Sequence, residues 1–375
     1  MSLHAIDDIG DAIDATKAFL TPFSAVQWLK LAFVVLFIGG GGGGGLNQLQ
    51  SLSNVDQGDF GSGPDAAAQV TGTLDWVLDA ALLQAGPDVP PEAQQVFAGA
   101  GLLVLALAVA LVLLAVVAAV LSNFMEFVFI ESLIDSEVHV RRSFTANIGN
   151  GLRLFGFRLV LNVLSLLAAA AVLYTVLVFV VGVNLANPGS TEASAVFGAL
   201  PLLIVPLVVG AVVVGLVRGF TNGFVIPLML QGDHGVLAGW QRLWGSITDQ
   251  PKQYVAYVFF SIVLNIGTGL VAGILGLLLF VVLLIPFGIL ACIVWLALHE
   301  GIATLVLIGL LFAVYVLLVF VLGLLIRVPL QTFLRYYAML VLGDVDDDLD
   351  PIPEVRTSIR SDGPDEGSPA TPSES

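Results

Sequence analysis

The chain has 375 residues, 58% of them hydrophobic and only 11% charged, with a mean hydropathy of +0.99. A soluble domain carries about a quarter charged residues, so this composition excludes a protein that covers itself with polar surface in water. The formal net charge of −16 also excludes a basic surface for nucleic acid.

The first 24 residues are polar and acidic, with Asp7, Asp8, Asp11 and Asp14, and read as an amphipathic helix. No basic region leads into an apolar core there, so no cleavable signal peptide is expected, and the first span would itself act as the targeting signal. That span is expected at about 25–45. Its first half, Trp28 to Ile38, is apolar, whereas Gly39 to Gly45 is an unbroken glycine run. Glycine costs about 1 kcal/mol against alanine inside a helix, so this half either frays towards an exit loop or serves a close helix contact or hinge.

Segment 46–97 follows as an extracellular loop with seven acids and no base. One short amphipathic helix is expected within it, around Val70 to Leu83. Five further spans are expected at about 98–122, 156–183, 196–220, 254–283 and 302–326. The runs 93–125, 159–191, 193–217, 253–299 and 301–326 hold no Asp, Glu, Lys or Arg, and each exceeds the roughly 20 apolar residues that cross a bilayer as a helix. They are continuously apolar rather than alternating, which argues against barrel strands. The predicted fold class is an all-α integral membrane helical bundle of six transmembrane helices.

Pro286 and Gly288 are expected to end the fifth span, leaving 287–299 as an outer-side or re-entrant helix before span six. The alternative is a full crossing by 280–298, which gives seven spans and an external carboxyl terminus. Residues 1–343 thus form one multi-pass domain. Residues 344–375, with ten acids against Arg356 and Arg360, read as a disordered acidic cytoplasmic tail. Two explanations of the acidity stand side by side: binding of a cation or basic partner, and the general acidity of proteins in a high-salt cytoplasm.

Outside the tail there are eleven basic residues: Lys17, Lys30, Arg141, Arg142, Arg153, Arg158, Arg218, Arg242, Lys252, Arg327 and Arg335. All fall before span one, between spans two and three, between four and five, or after six. The positive-inside rule then puts both termini on the cytoplasmic face of the cell membrane.

Three lead-ins share a pattern of an amphipathic stretch, an aromatic, a base and a span: "FLTPFSAVQWLKLAFVVLF", "SFTANIGNGLRLFGFRLVLNVL" and "LWGSITDQPKQYVAYVFFSIVLNI". Three exits also align, "NFMEFVFI", "TNGFVIPL" and, more weakly, "VPLQTFLRYY". The pattern predicts three repeated hairpins, each led by a juxtamembrane helix.

Ionisable groups at membrane depth are costly and raise a functional question. They are Glu126, Glu131, Arg158, Arg218, His299 and Glu300. Glu126 and Arg158 approach one depth from adjacent spans, and the candidate polar cluster is Asn123, Glu126, Arg158, Asn162 and Asn222, suited to a headgroup or a cation. The plain alternative is that these groups only tie helices together, at about 0.6 kcal/mol each. The chain lacks a nucleophile elbow, a zinc helix and a Walker lysine motif. Cys292 is the sole cysteine, so neither an internal disulfide nor a cysteine metal site is possible. No cofactor or metal is expected, the protein is not expected to be an enzyme, and the lipid bilayer is the one partner implied.

The opening "HAIDDIGDAIDATKAFLTPFSAVQWLKLAFVVLFIGGGGG" and the closing "LQTFLRYYAMLVLGDVD" resemble an uncharacterised multi-pass membrane protein family of halophilic archaea, over about residues 1–350. The lead-in and span pattern is more distantly similar to the membrane domain of glycerophosphodiester phosphodiesterases, without their catalytic domain. The resemblance implies location and architecture, and no activity. The expected function is a non-catalytic scaffold or accessory module. A transporter or permease component is the alternative, and a lipid-handling protein a more remote one.

Overall fold

The computed structural model describes residues 4–21, 23–38, 91–182, 193–232, 235–298 and 301–361. Among these residues the fold is all-helical. In chain order the helices are α1 (His4–Leu20), α2 (Ala25–Phe37), α3 (Pro91–Ile134), α4 (Val140–Ala146), α5 (Ile148–Thr175) and α6 (Ala193–Phe220). After a π-helical turn at Thr221–Val225 come α7 (Ile226–Gly232), α8 (Val236–Asp249), α9 (Pro251–Leu298), α10 (Ile302–Val345) and α11 (Pro353–Ser361).

Five helical segments are long and apolar enough to cross a membrane: Val109–Ile134, Ile148–Val180, Gly198–Gly232, Pro251–Leu298 and Ile302–Val345. In hydrocarbon each backbone polar group must find its partner within its own segment, which is why such runs form helices. The expected span at 25–45 corresponds only in part to α2, whose 13 residues rise about 20 Å. Its glycine half lies outside the described residues, as do the loop 46–90 with its expected helix, and His299 and Glu300.

The expected break at Pro286 does not occur. Helix α9 is continuous for 48 residues, about 72 Å at 1.5 Å per residue. Proline removes one main-chain hydrogen bond, which by itself does not end a helix that a neighbour supports. Helix α10 packs along α9 and supports this stretch. Tyr315 sits against Phe280 and Phe287, and its hydroxyl donates to the Phe280 carbonyl at 3.2 Å.

Packing is concentrated at one end of the long helices. Phe127 to Ile130 and Leu133 of α3, Leu31, Val34 and Val35 of α2, Phe224 to Ile226 around the π turn, and Tyr336 to Leu342 of α10 form one buried core. Helix α1 closes it with Ala12, Ala15 and Phe19. Away from this collar the apolar side chains face outward. In the most apolar stretches of Gly198–Gly232 and Pro251–Leu298 no residue is buried.

The acidic segment after Asp344 is a second difference. Instead of a disordered tail from residue 344, Asp347–Leu349 form a 3₁₀ turn and Pro353–Ser361 form α11, which docks on α1. The local cause is that Arg356 and Arg360, one helical turn apart, each meet carboxylates of the collar. Residues 362–375 lie outside the described residues.

Candidate functional site

Glu126 sits on α3, 4% exposed, between two arginines. Its Oε2 accepts from Arg158 Nη2 of α5 at 3.3 Å, and its Oε1 accepts from Arg335 Nη2 of α10. Arg158 also donates through Nη1 to Asn123 Oδ1 at 2.8 Å and through Nη2 to Asn222 Oδ1 at 2.6 Å. Asn123 in turn donates to the Ala119 carbonyl at 2.7 Å. An isolated carboxylate in this position would be prohibitively costly, and charge-assisted bonds to two guanidinium groups offset its desolvation.

The π turn explains how Asn222 joins. The N–H of Ile226 bonds to the Thr221 carbonyl rather than to that of Asn222. The next nitrogen belongs to Pro227, which has no hydrogen. The Asn222 carbonyl is therefore left for a side chain, and Arg335 Nη1 donates to it at 2.6 Å. The segment Thr221-Asn222-Gly223-Phe224-Val225-Ile226-Pro227 thus encodes an acceptor pointing out of its helix.

Of the residues singled out in the sequence, Asn123, Glu126, Arg158 and Asn222 meet in one cluster. Asn162 does not join it, and its Oδ1 accepts from Arg218 Nη2 instead. Glu131 lies further along α3, where its Oε2 accepts from Asn147 Nδ2 at the start of α5. In the sequence Arg335 marks topology alone, whereas in the structure it completes the cluster. Its signal was the alignment of the three exit segments, since Glu126, Asn222 and Arg335 each belong to one of them.

Beside the cluster lies a cavity of about 310 Å³ between α6, α9 and α10. Glu126, Asn222, Gln331 and Arg335 form its polar wall, and Tyr257, Ser261 and Asn265 of α9 face them. Tyr257 stacks on Tyr337 with centroids 5.8 Å apart and meets Phe224 at 4.5 Å, which closes the inner end.

A second ionic group joins α1 to the end of α10 and to α11. Arg360 donates from Nη1 and Nη2 to the two oxygens of Asp344, at 3.1 and 2.7 Å. It also donates to Asp11 Oδ2 at 2.9 Å and to Asp8 Oδ1 at 3.3 Å. Arg356 pairs with Asp344 at 3.3 Å and Asp350 at 3.0 Å, and donates to the Leu340 carbonyl. Asp8 is fully buried, and burial, reinforced by the Asp344 carboxylate and opposed by Arg360, pushes its carboxyl up to about 8. No group of three or more His, Cys, Asp and Glu with metal-holding geometry occurs among the described residues.

Among the described residues these observations define an all-helical fold with five helices suited to a lipid bilayer, four of which meet at one end in a buried ionic cluster. Residues 3–352 match the family of unknown function DUF7544, and the chain belongs to that family. None of the curated proteins and none of the solved structures matches it.

Proposed function

We propose that the chain is a non-catalytic membrane module, a scaffold or accessory protein of the cell membrane, with six spans arranged as three hairpins and both termini cytoplasmic. The observation that carries this reading is the engagement of Glu126 by Arg158 and Arg335. A carboxylate held by two guanidinium groups ties α3, α5 and α10 together, which is a cross-linking use of charge rather than the poised acid or base of a reaction. The three exit segments converge on this point, and α1, α4 and α8 immediately precede α2, α5 and α9, which supports the hairpin repeat. Chain acidity and lysine scarcity fit the high-salt cytoplasm of a halophilic archaeon.

Cysteine-accessibility mapping in a Cys292→Ser background tests the architecture. Cysteines introduced in 46–97 should label from outside intact cells, and those at Arg141 and Arg142 only after permeabilisation. Outside labelling at Arg141 or Arg142 overturns the topology.

The cavity between α6, α9 and α10 favours a second reading, that of a transporter component or lipid-handling protein. Its polar wall reaches Asn265, about 21 Å along α9 from Pro251. Transport predicts that residues facing the cavity label from both sides of the membrane, whereas the accessory reading predicts labelling from one side.

A further inference from the structure

We infer that this cavity is a binding site for the phosphate of an anionic phospholipid, whose tails lie against the outward apolar faces of α6 and α9. The inference rests on the membrane-spanning part of the proposal above and not on the scaffold role.

The polar wall is rich in donors. Glu126 already accepts from both arginines, so neither of its oxygens stands without a donor. The guanidinium of Arg335 has five N–H groups, of which the bonds to Asn222 and Glu126 use two. Its side chain is 12% exposed, and it lines the cavity. The Gln331 amide lines the same wall with no hydrogen-bond partner among the described residues, and the Asn222 side-chain amide nitrogen also has none there. Two arginines against one glutamate leave the cluster one positive charge in excess. Unused donors together with a positive charge fit an oxyanion better than a cation.

The surroundings select an amphiphile as the source of that oxyanion. On the two helices that flank the cavity, Val212, Val213, Ile262 and Ile266 are all about half or more exposed, so apolar chains have apolar side chains of α6 and α9 to lie against. Gly219 marks the entrance, since a Cβ built there meets open space within 4 Å. Gly223, one turn further in, is closed by the Tyr257 hydroxyl at 2.9 Å from such a Cβ. The open position is therefore on the side of the exposed faces.

The test uses the full chain, delipidated in neutral detergent and titrated by native mass spectrometry with three probes. These are phosphatidylglycerol, a diacylglycerol with the same tails and no phosphate, and inorganic phosphate. Retention of phosphatidylglycerol over diacylglycerol is expected, undisturbed by excess inorganic phosphate. Gly219→Leu, which fills open space and should melt as the wild type does, is expected to weaken retention about tenfold, as is Gln331→Leu through a lost bond to an anion. Equal retention of both lipids, or unchanged retention in Gly219→Leu, overturns the assignment. Displacement by inorganic phosphate would assign the cavity to a free anion and overturn the lipid. The measurement is made in detergent, so a wrong topology would fail the cysteine mapping and leave this result standing.

Discussion

Arg335 and Asn222, 113 residues apart, meet through a side-chain N–H and a main-chain oxygen at 2.6 Å. The bond exists because the π turn and Pro227 together deprive that carbonyl of a helical donor. Pro227→Ala supplies a new N–H and lets the turn compete for the same oxygen. The expected outcome is a weaker dependence on Arg335. Arg335→Gln should cost about 1 kcal/mol less in the Pro227→Ala background than in the wild type, measured as a double-mutant cycle on thermal unfolding in detergent. Strict additivity would show that the two positions are not linked through this carbonyl.

Removing Glu126 should be far more damaging than neutralising it. Glu126→Ala leaves Arg158 and Arg335 facing each other in a buried place, a loss of about 3–5 kcal/mol for a broken buried pair. Glu126→Gln keeps one accepting oxygen and should lose less. The ordering of the two unfolding temperatures checks this, and the reverse ordering would mean that the glutamine NH2, a donor set against guanidinium donors, costs more than an empty space.

Gly151 of α5 is present because the Phe124 ring of α3 occupies the space of its side chain. A Cβ at this position would stand 2.1 Å from Phe124 Cδ1. Gly151→Ala should therefore cost about 1–3 kcal/mol through overpacking, despite alanine being the better helix former. Phe124→Leu in the same chain should recover part of that loss. If Gly151→Ala alone is neutral, the two helices are free to separate at this level.

The helices themselves were readable from uncharged runs such as 159–191, because a length above that of the bilayer and a continuous apolar character leave one backbone solution. Continuity through Pro286 was not readable in the same way. Proline is a common helix stop, and the competing term, the packing of Tyr315 of α10 against Phe280 and Phe287, is a tertiary contact that the local sequence does not announce. Arg335 was hidden for a different reason. It is 209 residues from Glu126, and a base at a span exit has an ordinary explanation in the sorting of charge across the membrane. The segment around Arg356 and Arg360 was masked by its own composition. Averaged over 344–375 the acids suggest disorder, whereas the fold depends on two arginines placed four residues apart against Asp344.

That clasp should respond to pH. Asp8 of α1 is buried against Asp344 of α10, with Arg360 of α11 and Asp11 of α1 also facing it, and its carboxyl is raised from 3.8 to about 8. A raised folded value means that the native state holds the proton more tightly than the unfolded chain does. The stabilising contribution is therefore complete below pH 3.8 and is lost as pH rises through about 8. Amides of α11 should exchange hydrogen faster, relative to intrinsic rates, at about pH 9 than at about pH 6, while those of the collar core around Phe127 should not change. Asp8→Asn, uncharged throughout, should remove the difference and hold α11 at the higher pH. Gly343→Ala gives the complementary result, because its Cβ would fall 1.8 Å from Arg356 Nη2 and expel that side chain. Fast exchange of α11 at every pH is expected there. If α11 exchanges equally slowly at both pH values in the wild type, Asp8 does not control the clasp, and its proton must be exchanged without any change in how α11 is held on α1.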